Sequence, residues 1–334
     1  MADHLEERVD SELMQETRSR SGESRRPSIV VAIPCYNEAA VIGRVVRAFR
    51  ETLPEAAVWV IDNASTDGSA QEAARAGAQV IREPRRGKGH AVQTLFQTVH
   101  GDALVMVDGD GTYRAEDVRT LLAPILGGEA DMVVGARLRD ATGAAMGPLH
   151  HVGNRMIAAL LNTLFRTSFE DVLSGYRVFS RRFQHEVPLL AQGFEVETEL
   201  TVQALQRGLV TRELPVHYDP RPSGSQSKLR TFQDGYRIVV TMVVLLRDHR
   251  PLVVFGAFGV VSLLAAFWAG CLRVLGHQGW LALSPSLLSG FVILCTIVGF
   301  LSIGIGLLLN VVNTRFREVT SLLTRRGEEK RPDA

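Results

Sequence analysis

The stretch ALVMVDGDGT, residues 103–112, is a run of five apolar residues that stops at a carboxylate, a glycine and a second carboxylate. An unbroken apolar run of this length, without alternation, predicts a strand covered on both faces, as in a parallel sheet. The same grammar recurs on either side. Residues 28–33 (SIVVAI) are apolar and end at Pro34, residues 58–61 end at Asp62, residues 78–81 form a third run, and residues 131–135 a fifth. Helical periodicity separates them at 39–52, 67–76 and 89–99. Strands alternating with helices imply βαβ units and a mostly parallel, Rossmann-like α/β sheet. Ligands of such sheets bind at the carboxyl ends of the strands. Those ends carry residues 34–38, 62–67, 108–112 and Arg137.

Composition narrows the function. The 334 residues hold 37 Lys+Arg against 36 Asp+Glu, a balance that argues against a nucleic-acid partner. Hydrophobic residues make up 46% of the chain, a high share beside so many charges, so the apolar residues must be concentrated. Three cysteines, at 35, 271 and 295, have no metal-ligand spacing and cannot form a disulfide framework. Residues 1–27 are polar with mixed charge and read as a disordered tail or a docking segment, not a signal peptide.

The apolar excess lies near the C-terminal end. Residues 252–272 contain no charge and are long enough to span hydrocarbon, and residues 285–309 can span again. The short turn between them makes a hairpin. Arg247 and Arg250 precede the first span and six basic residues follow the second, from Arg315 to Arg331, while the turn holds only Arg273. The positive-inside rule then puts both flanks, and the α/β domain, in the cytoplasm, with the hairpin in an inner membrane. Residues 229–250 mix Arg230, Asp234 and Arg237 with apolar positions, and read either as an interfacial helix on the lipid headgroups or as an amphipathic helix packed on the domain. The expected division is a tail to 27, a catalytic domain over 28–228, the interfacial helix over 229–250, the hairpin over 251–314 and a basic tail over 315–334. Gly299, Ser302, Gly304 and Gly306 permit close helix packing within the hairpin or in a homo-oligomer.

Asp108 and Asp110, at i and i+2, are expected to point the same way if the backbone is extended. Gly109 between them lets the backbone approach a ligand. Two hard oxygen donors with coordination positions left open suit Mg²⁺ or Mn²⁺ shared with a diphosphate. The plain alternative is an acidic turn before the helix that starts near Arg114; a calcium loop would need further ligands that are absent.

In order along the chain stand Pro34-Cys35-Tyr36-Asn37-Glu38, the run 61–69 (IDNASTDGS), Arg86-Gly87-Lys88-Gly89 and Asp108-Gly109-Asp110. Residues 134–137 (VGAR), 171–177 (DVLSGYR) and 221–229 (RPSGSQSKL) follow. This ordered set resembles family-2 inverting glycosyltransferases of the GT-A fold, and more narrowly the polyprenyl-phosphate enzymes of the dolichyl-phosphate mannose synthase type, over about residues 28–315. The resemblance implies that Asp62 accepts hydrogen bonds from a nucleotide base and that Pro34, Tyr36 and Glu38 lie beside base and ribose. It implies that Lys88 reaches the nucleotide and that Asp108, Asp110 and Thr112 hold the metal, with Thr112 standing where many relatives have Gln. Arg137, Arg221, Ser227 and Lys228 match positions that hold phosphate, and Asp171 matches an acidic position on the acceptor side, where it orients the acceptor, acts as base, or forms a salt bridge with Arg177. Of Glu195, Glu197 and Glu199, one faces the site, but periodicity does not choose which. Asn63 stands where relatives have a second Asp.

The implied function is transfer of one sugar from a nucleotide diphosphate donor, UDP- or GDP-linked, to polyprenyl (undecaprenyl or dolichyl) phosphate with inversion, for cell-envelope glycan synthesis. Transfer to a lipid hydroxyl, which needs a base, and an inactive nucleotide-sugar-binding scaffold are the alternatives.

Overall fold

The computed structural model describes residues 27–137, 148–189, 196–220, 250–274 and 285–329, with isolated positions at 240, 244 and 247. The chain divides into two compact units, at Met1–Leu229 and Arg230–Ala334.

In the first unit the order is β1 (Ile29–Cys35), α1 (Ala39–Thr52), β2 (Ala57–Asp62), α2 (Ser69–Arg75), β3 (Gln79–Arg82), α3 (Lys88–Thr98) and β4 (Ala103–Met106). A 3₁₀ turn (Ala115–Asp117), α4 (Val118–Leu126), β5 (Met132–Arg137), α5 (Pro148–Phe165), β6 (Arg177–Ser180), α6 (Arg181–Glu186), α7 (Val196–Gln206) and β7 (Thr211–Val216) follow. The seven strands form one sheet in the order β3-β2-β1-β4-β6-β5-β7. All are parallel except β6, which runs antiparallel to both β4 and β5. Every residue of β1 is buried, because helices cover both faces. On α1 the buried residues Val41, Ile42, Val45, Val46 and Phe49 recur at three- and four-residue spacing and form the stripe laid on the sheet.

The five expected strands and three expected helices are present, with ends shifted by a residue or two. β6 and β7 are additions. β6 is only four residues long, and β7 (TRELPV) carries Arg212, Glu213 and Pro215, which an edge strand tolerates because one side needs no ladder partner.

Strand order reverses at β1, since β2 and β3 lie on one side and β4 on the other. That crevice is where an open α/β sheet takes its ligand. The antiparallel β6 supplies the same rim in a second way. Its first residue, Arg177, pairs with Met106 near the end of β4 and with Val134 on β5, so the segment leading into it, residues 171–176, arrives at the edge where the parallel strands finish.

Past β3, Glu83 continues the sheet ladder, its N–H donating to the Asp62 carbonyl at 2.8 Å. Its buried carboxylate accepts two bonds from the Arg85 guanidinium and one from the Thr94 hydroxyl on α3. The bonds from Arg85 outweigh the opposing effect of burial and, with Thr94, hold the Glu83 carboxyl down at about 2.

The second unit contains α8 (Pro251–Val274) and α9 (Pro285–Glu329), each with an apolar stretch long enough to cross a membrane. The pair packs through small residues: a Cβ on Gly259 would lie 2.8 Å from the Gly299 carbonyl oxygen, and one on Gly306 would lie 2.9 Å from Phe255 Cβ. The Ser262 hydroxyl donates to the Cys295 carbonyl at 2.9 Å. Of the four small residues named above, Gly299 and Gly306 face α8, whereas a Cβ on Gly304 would meet nothing within 4 Å. The second apolar stretch runs over Ser286–Arg315, longer than expected, and the anticipated basic tail is helical as far as Glu329. The interfacial helix expected at 229–250 and the tail at 1–26 fall outside the described residues apart from positions 240, 244, 247 and 250.

A carboxyl held below its unfolded value stabilises the fold above that value and loses the contribution as pH falls toward the folded one. Glu83 should therefore add an acid-labile component to stability that declines below about pH 4.5. In thermal melts of the detergent-solubilised chain between pH 6 and 3, Glu83→Gln should melt lower than wild type at pH 6, with the gap closing toward pH 3. A gap that stays constant contradicts the assignment.

Candidate active site

Three strand ends build one side of the crevice. Asp62 closes β2, pairs in register with Cys35 and is 3% exposed; its Oδ1 accepts from the Ser65 N–H at 3.3 Å. Pro34 lies within β1, Tyr36 is half-buried with the Arg86 guanidinium 5.8 Å from its ring centre, and Glu38 is buried with its N–H donating to Ser69 Oγ at 2.8 Å. Asp67 fastens this loop to the start of α1. Its Oδ2 accepts from the Ala39 N–H and its Oδ1 from Ser69, and these bonds, against the upward push of burial, hold its carboxyl below the usual range.

Asn63 is more informative than a missing carboxylate. Its Nδ2 donates to the Arg85 carbonyl at 2.6 Å and its Oδ1 accepts from the Gly87 N–H at 2.8 Å. One amide thus anchors the loop that delivers Lys88, using donor and acceptor together, which an aspartate at neutral pH cannot do.

The Asp108–Asp110 segment corrects the extended-backbone expectation. β4 ends at Met106, Gly109 and Asp110 form a turn, and Gly111 takes φ +73°. The two carboxylates have different partners as a result. Asp108 Oδ1 pairs with Lys88 Nζ at 2.5 Å, and the same ammonium contacts Glu197 on α7. Asp110 Oδ1 accepts from the Thr112 hydroxyl at 2.6 Å and the Thr112 N–H at 3.2 Å. Thr112 is 1% exposed, and its hydroxyl is engaged in orienting Asp110. Gly109 is packed closely: a Cβ there would touch Ile33 and Ile42 at 3.3 Å. Gly175 is tighter, since its Cβ would lie 2.2 Å from Asp108 Oδ2.

Glu197 is the glutamate that periodicity could not choose; it is 4% exposed. Glu195 lies outside the described residues. Burial pushes Lys88 down, but Asp108 and Glu197 outweigh it and keep the ammonium firmly protonated.

On the other flank Arg137, at the end of β5, grips Asp171 through two parallel bonds of 2.6 Å, Nε to Oδ2 and Nη2 to Oδ1. Asn154 Nδ2 donates to the same carboxylate at 3.1 Å, and Arg137 lies 5.4 Å from the centre of the Tyr218 ring. Burial raises the Asp171 carboxyl, but Arg137 more than offsets it and holds it below the usual range. Arg177 is not its hydrogen-bond partner, contrary to the expectation. That side chain is 0% exposed and donates to the Val172 and Ser174 carbonyls at 2.5 and 2.9 Å and to Thr201 Oγ1 on α7 at 2.9 Å. Tyr113, absent from the expected set, completes the wall: its hydroxyl accepts from the Gly175 N–H at 3.1 Å. Arg221, Ser227 and Lys228 lie outside the described residues.

Breaking a buried pair from one side leaves an uncompensated charge and costs about 3–5 kcal/mol. Asp171→Asn should destabilise the fold by about that much in denaturant titrations, and Arg137→Met combined with Asp171→Leu should recover part of the loss. Additive losses in the double variant would contradict the pairing.

The sequence pattern of Glycosyl transferase family 2 matches residues 30–185. Glycosyltransferase AglJ of Haloferax volcanii is 37% identical over 236 residues, covering 70% of this chain and 77% of AglJ. The low-salt glycan biosynthesis hexosyltransferase Agl6 of the same organism is 33% identical over 256 residues, 73% of this chain and 60% of Agl6. In fold, glucosyl-3-phosphoglycerate synthase of Mycobacterium tuberculosis, solved with Mn²⁺ and UDP-glucose, superposes with a TM-score of 0.54 at 22% identity, over 66% of this chain and 79% of that one. A seven-stranded sheet with its carboxylates gathered at the switch point, joined to this likeness, makes the chain a GT-A glycosyltransferase belonging to glycosyl transferase family 2.

Proposed function

We propose that this enzyme is a membrane hexosyltransferase that moves one sugar from a nucleotide diphosphate donor to polyprenyl phosphate, with inversion. The observation that carries the reading is one chain joining a family-2 catalytic unit, with Asp62, Asp108 and Asp110 on its switch-point rim, to two apolar helices of membrane-spanning length. The relative Agl6, named a hexosyltransferase, supports the sugar class.

Asp62 accepts the N–H groups of the base, and Pro34, Tyr36 and Glu38 wall the base and ribose. Among the described residues no three His, Cys, Asp or Glu side chains gather in one metal-holding cluster. Asp108 and Asp110 supply two hard oxygen donors and leave positions for diphosphate oxygens, a donor set that fits Mg²⁺ or Mn²⁺. Such a cation supplies charge neutralisation at the leaving diphosphate. Thr112 keeps Asp110 aimed, and Gly109 lets the backbone lie close.

The acceptor follows from Asp171. A general base works best with a pKa near the working pH. Asp171 is held in the opposite condition, ionised and gripped by Arg137. This supports an acceptor that needs no proton removed, which a phosphate satisfies and a lipid hydroxyl does not. One phosphate oxygen attacks the anomeric carbon, the bond from that carbon to the diphosphate oxygen breaks, and the nucleoside diphosphate leaves from the opposite face. With Arg137 engaged by Asp171, capture of the lipid phosphate falls to Arg221, Ser227 and Lys228. Arg residues flanking both spans orient the catalytic unit toward the cytoplasm of an inner membrane.

In detergent or native membranes, release of nucleoside diphosphate should require both donor and polyprenyl phosphate and should stop in EDTA. Asp110→Asn should lower it about 100-fold, on the order of 3 kcal/mol of transition-state stabilisation, without loss of fold. Turnover unchanged in EDTA, or equal with a neutral polyprenol acceptor, defeats the reading. Topology is tested separately. A reporter fused after Ala334 should sit in the cytoplasm, and a cysteine replacing Gln278 should label from the outer side.

A further inference from the structure

Lys88 sits where the donor-and-metal reading needs an open carboxylate. Its ammonium holds Asp108 Oδ1 at 2.5 Å and contacts Glu197 as well, and its side chain is only 14% exposed. Asp108 cannot turn away from it freely. The carboxylate is backed against Gly175, so close that a Cβ there would lie 2.2 Å from Oδ2. An ammonium and a divalent cation on one carboxylate oxygen repel each other strongly. The group able to move is the ammonium, on a flexible four-carbon stem that leaves the start of α3 between Gly87 and Gly89. Glu197, 5% exposed at its side chain, gives that stem a second carboxylate.

We propose that Lys88 is an interlock between metal and nucleotide: its ammonium occupies Asp108 until a diphosphate draws it off, so that neither ligand binds well without the other. The inference rests on the proposed donor and metal site and adds the order imposed on it. Glu197 is a positioning residue here. It shares the ammonium with Asp108 and so keeps the lysine's hold on Asp108 weak enough to be released. By linkage, whatever factor the nucleotide adds to metal affinity the metal adds to nucleotide affinity.

The test is Mn²⁺ binding to the full chain in detergent, followed by the electron paramagnetic resonance signal of free Mn²⁺, with and without UDP or GDP. Without nucleotide, Lys88→Gln and Lys88→Met should bind Mn²⁺ about tenfold more tightly than wild type, while Lys88→Arg, which keeps the charge, should stay at the wild-type value. A lysine that served only to touch the nucleotide would leave nucleotide-free Mn²⁺ affinity unmoved. Neutral variants within about twofold of wild type overturn the proposal. Should both fail to fold, Glu197→Gln reads the device from the other side. With Asp108 as the sole carboxylate partner of Lys88, nucleotide-free Mn²⁺ binding should weaken by about threefold or more, and unchanged affinity overturns the interlock. Absence of Mn²⁺ binding in every protein, even with nucleotide, would remove the donor-and-metal reading itself and the interlock with it.

Discussion

A guanidinium with no access to water organises the Asp171 flank of this enzyme's candidate site. Arg177 opens the antiparallel strand β6, and its guanidinium donates to two backbone carbonyls of the preceding loop, a threonine hydroxyl and the Met132 sulfur. Burial pulls it down to about 10, still well above neutrality, so it remains a cation. Hydrogen bonds from a charged donor contribute roughly 1.5–3 kcal/mol each, and two carbonyls would be orphaned without them. The loop they fix contains Asp171 and Gly175. The helix they reach, through Thr201, carries Glu197 one turn earlier. Both charged pairs of the site therefore inherit their geometry from a residue that meets neither substrate in the proposed reaction.

The two pairs differ in what they permit. Arg137 and Asp171 meet as fork and carboxylate, with Asn154 on the remaining side, an arrangement that fixes direction as well as distance. Lys88 is a point charge between two acids, held by attraction with little angular demand. The first suits a wall and the second suits a part that moves. Asn63 and Glu83 reinforce the distinction, because they bind the backbone of the loop before Lys88 while leaving the side chain its freedom.

Much of this was legible in the chain because parallel strands buried on both faces write themselves as unbroken apolar runs, and because a run that stops at Asp62 or Asp108 marks the rim. β7 escaped notice because an edge strand can carry charge and proline, and β6 because four residues hold too little pattern. Asp171 was readable as a site residue but not its partner. Arg177 was the partner expected from its nearness in sequence, whereas Arg137, expected to hold phosphate, is the guanidinium that reaches it from the end of β5. The choice of Glu197 over its neighbours likewise depends on how α7 is turned by Arg177 through Thr201, a contact between residues 24 positions apart. The expectation of extended backbone erred between Asp108 and Asp110, where a turn replaces the strand and the two carboxylates take different partners.

The position of β6 also sets an order of assembly. β1 to β4 are contiguous in the sheet and in the chain, so they can pair as they are made. β5 cannot join them, because its place beside β4 is taken by a strand synthesised some 40 residues later. Until Arg177–Ser180 emerges, β4 presents an open edge and β5 has no neighbour, the exposed intermediate that invites mispairing. The apolar helices follow β6 in the chain, so they are made after the strand that fills this gap. Chain order thus makes the strand that covers β4 available before either apolar helix, so the edge of β4 can be filled before those helices are made.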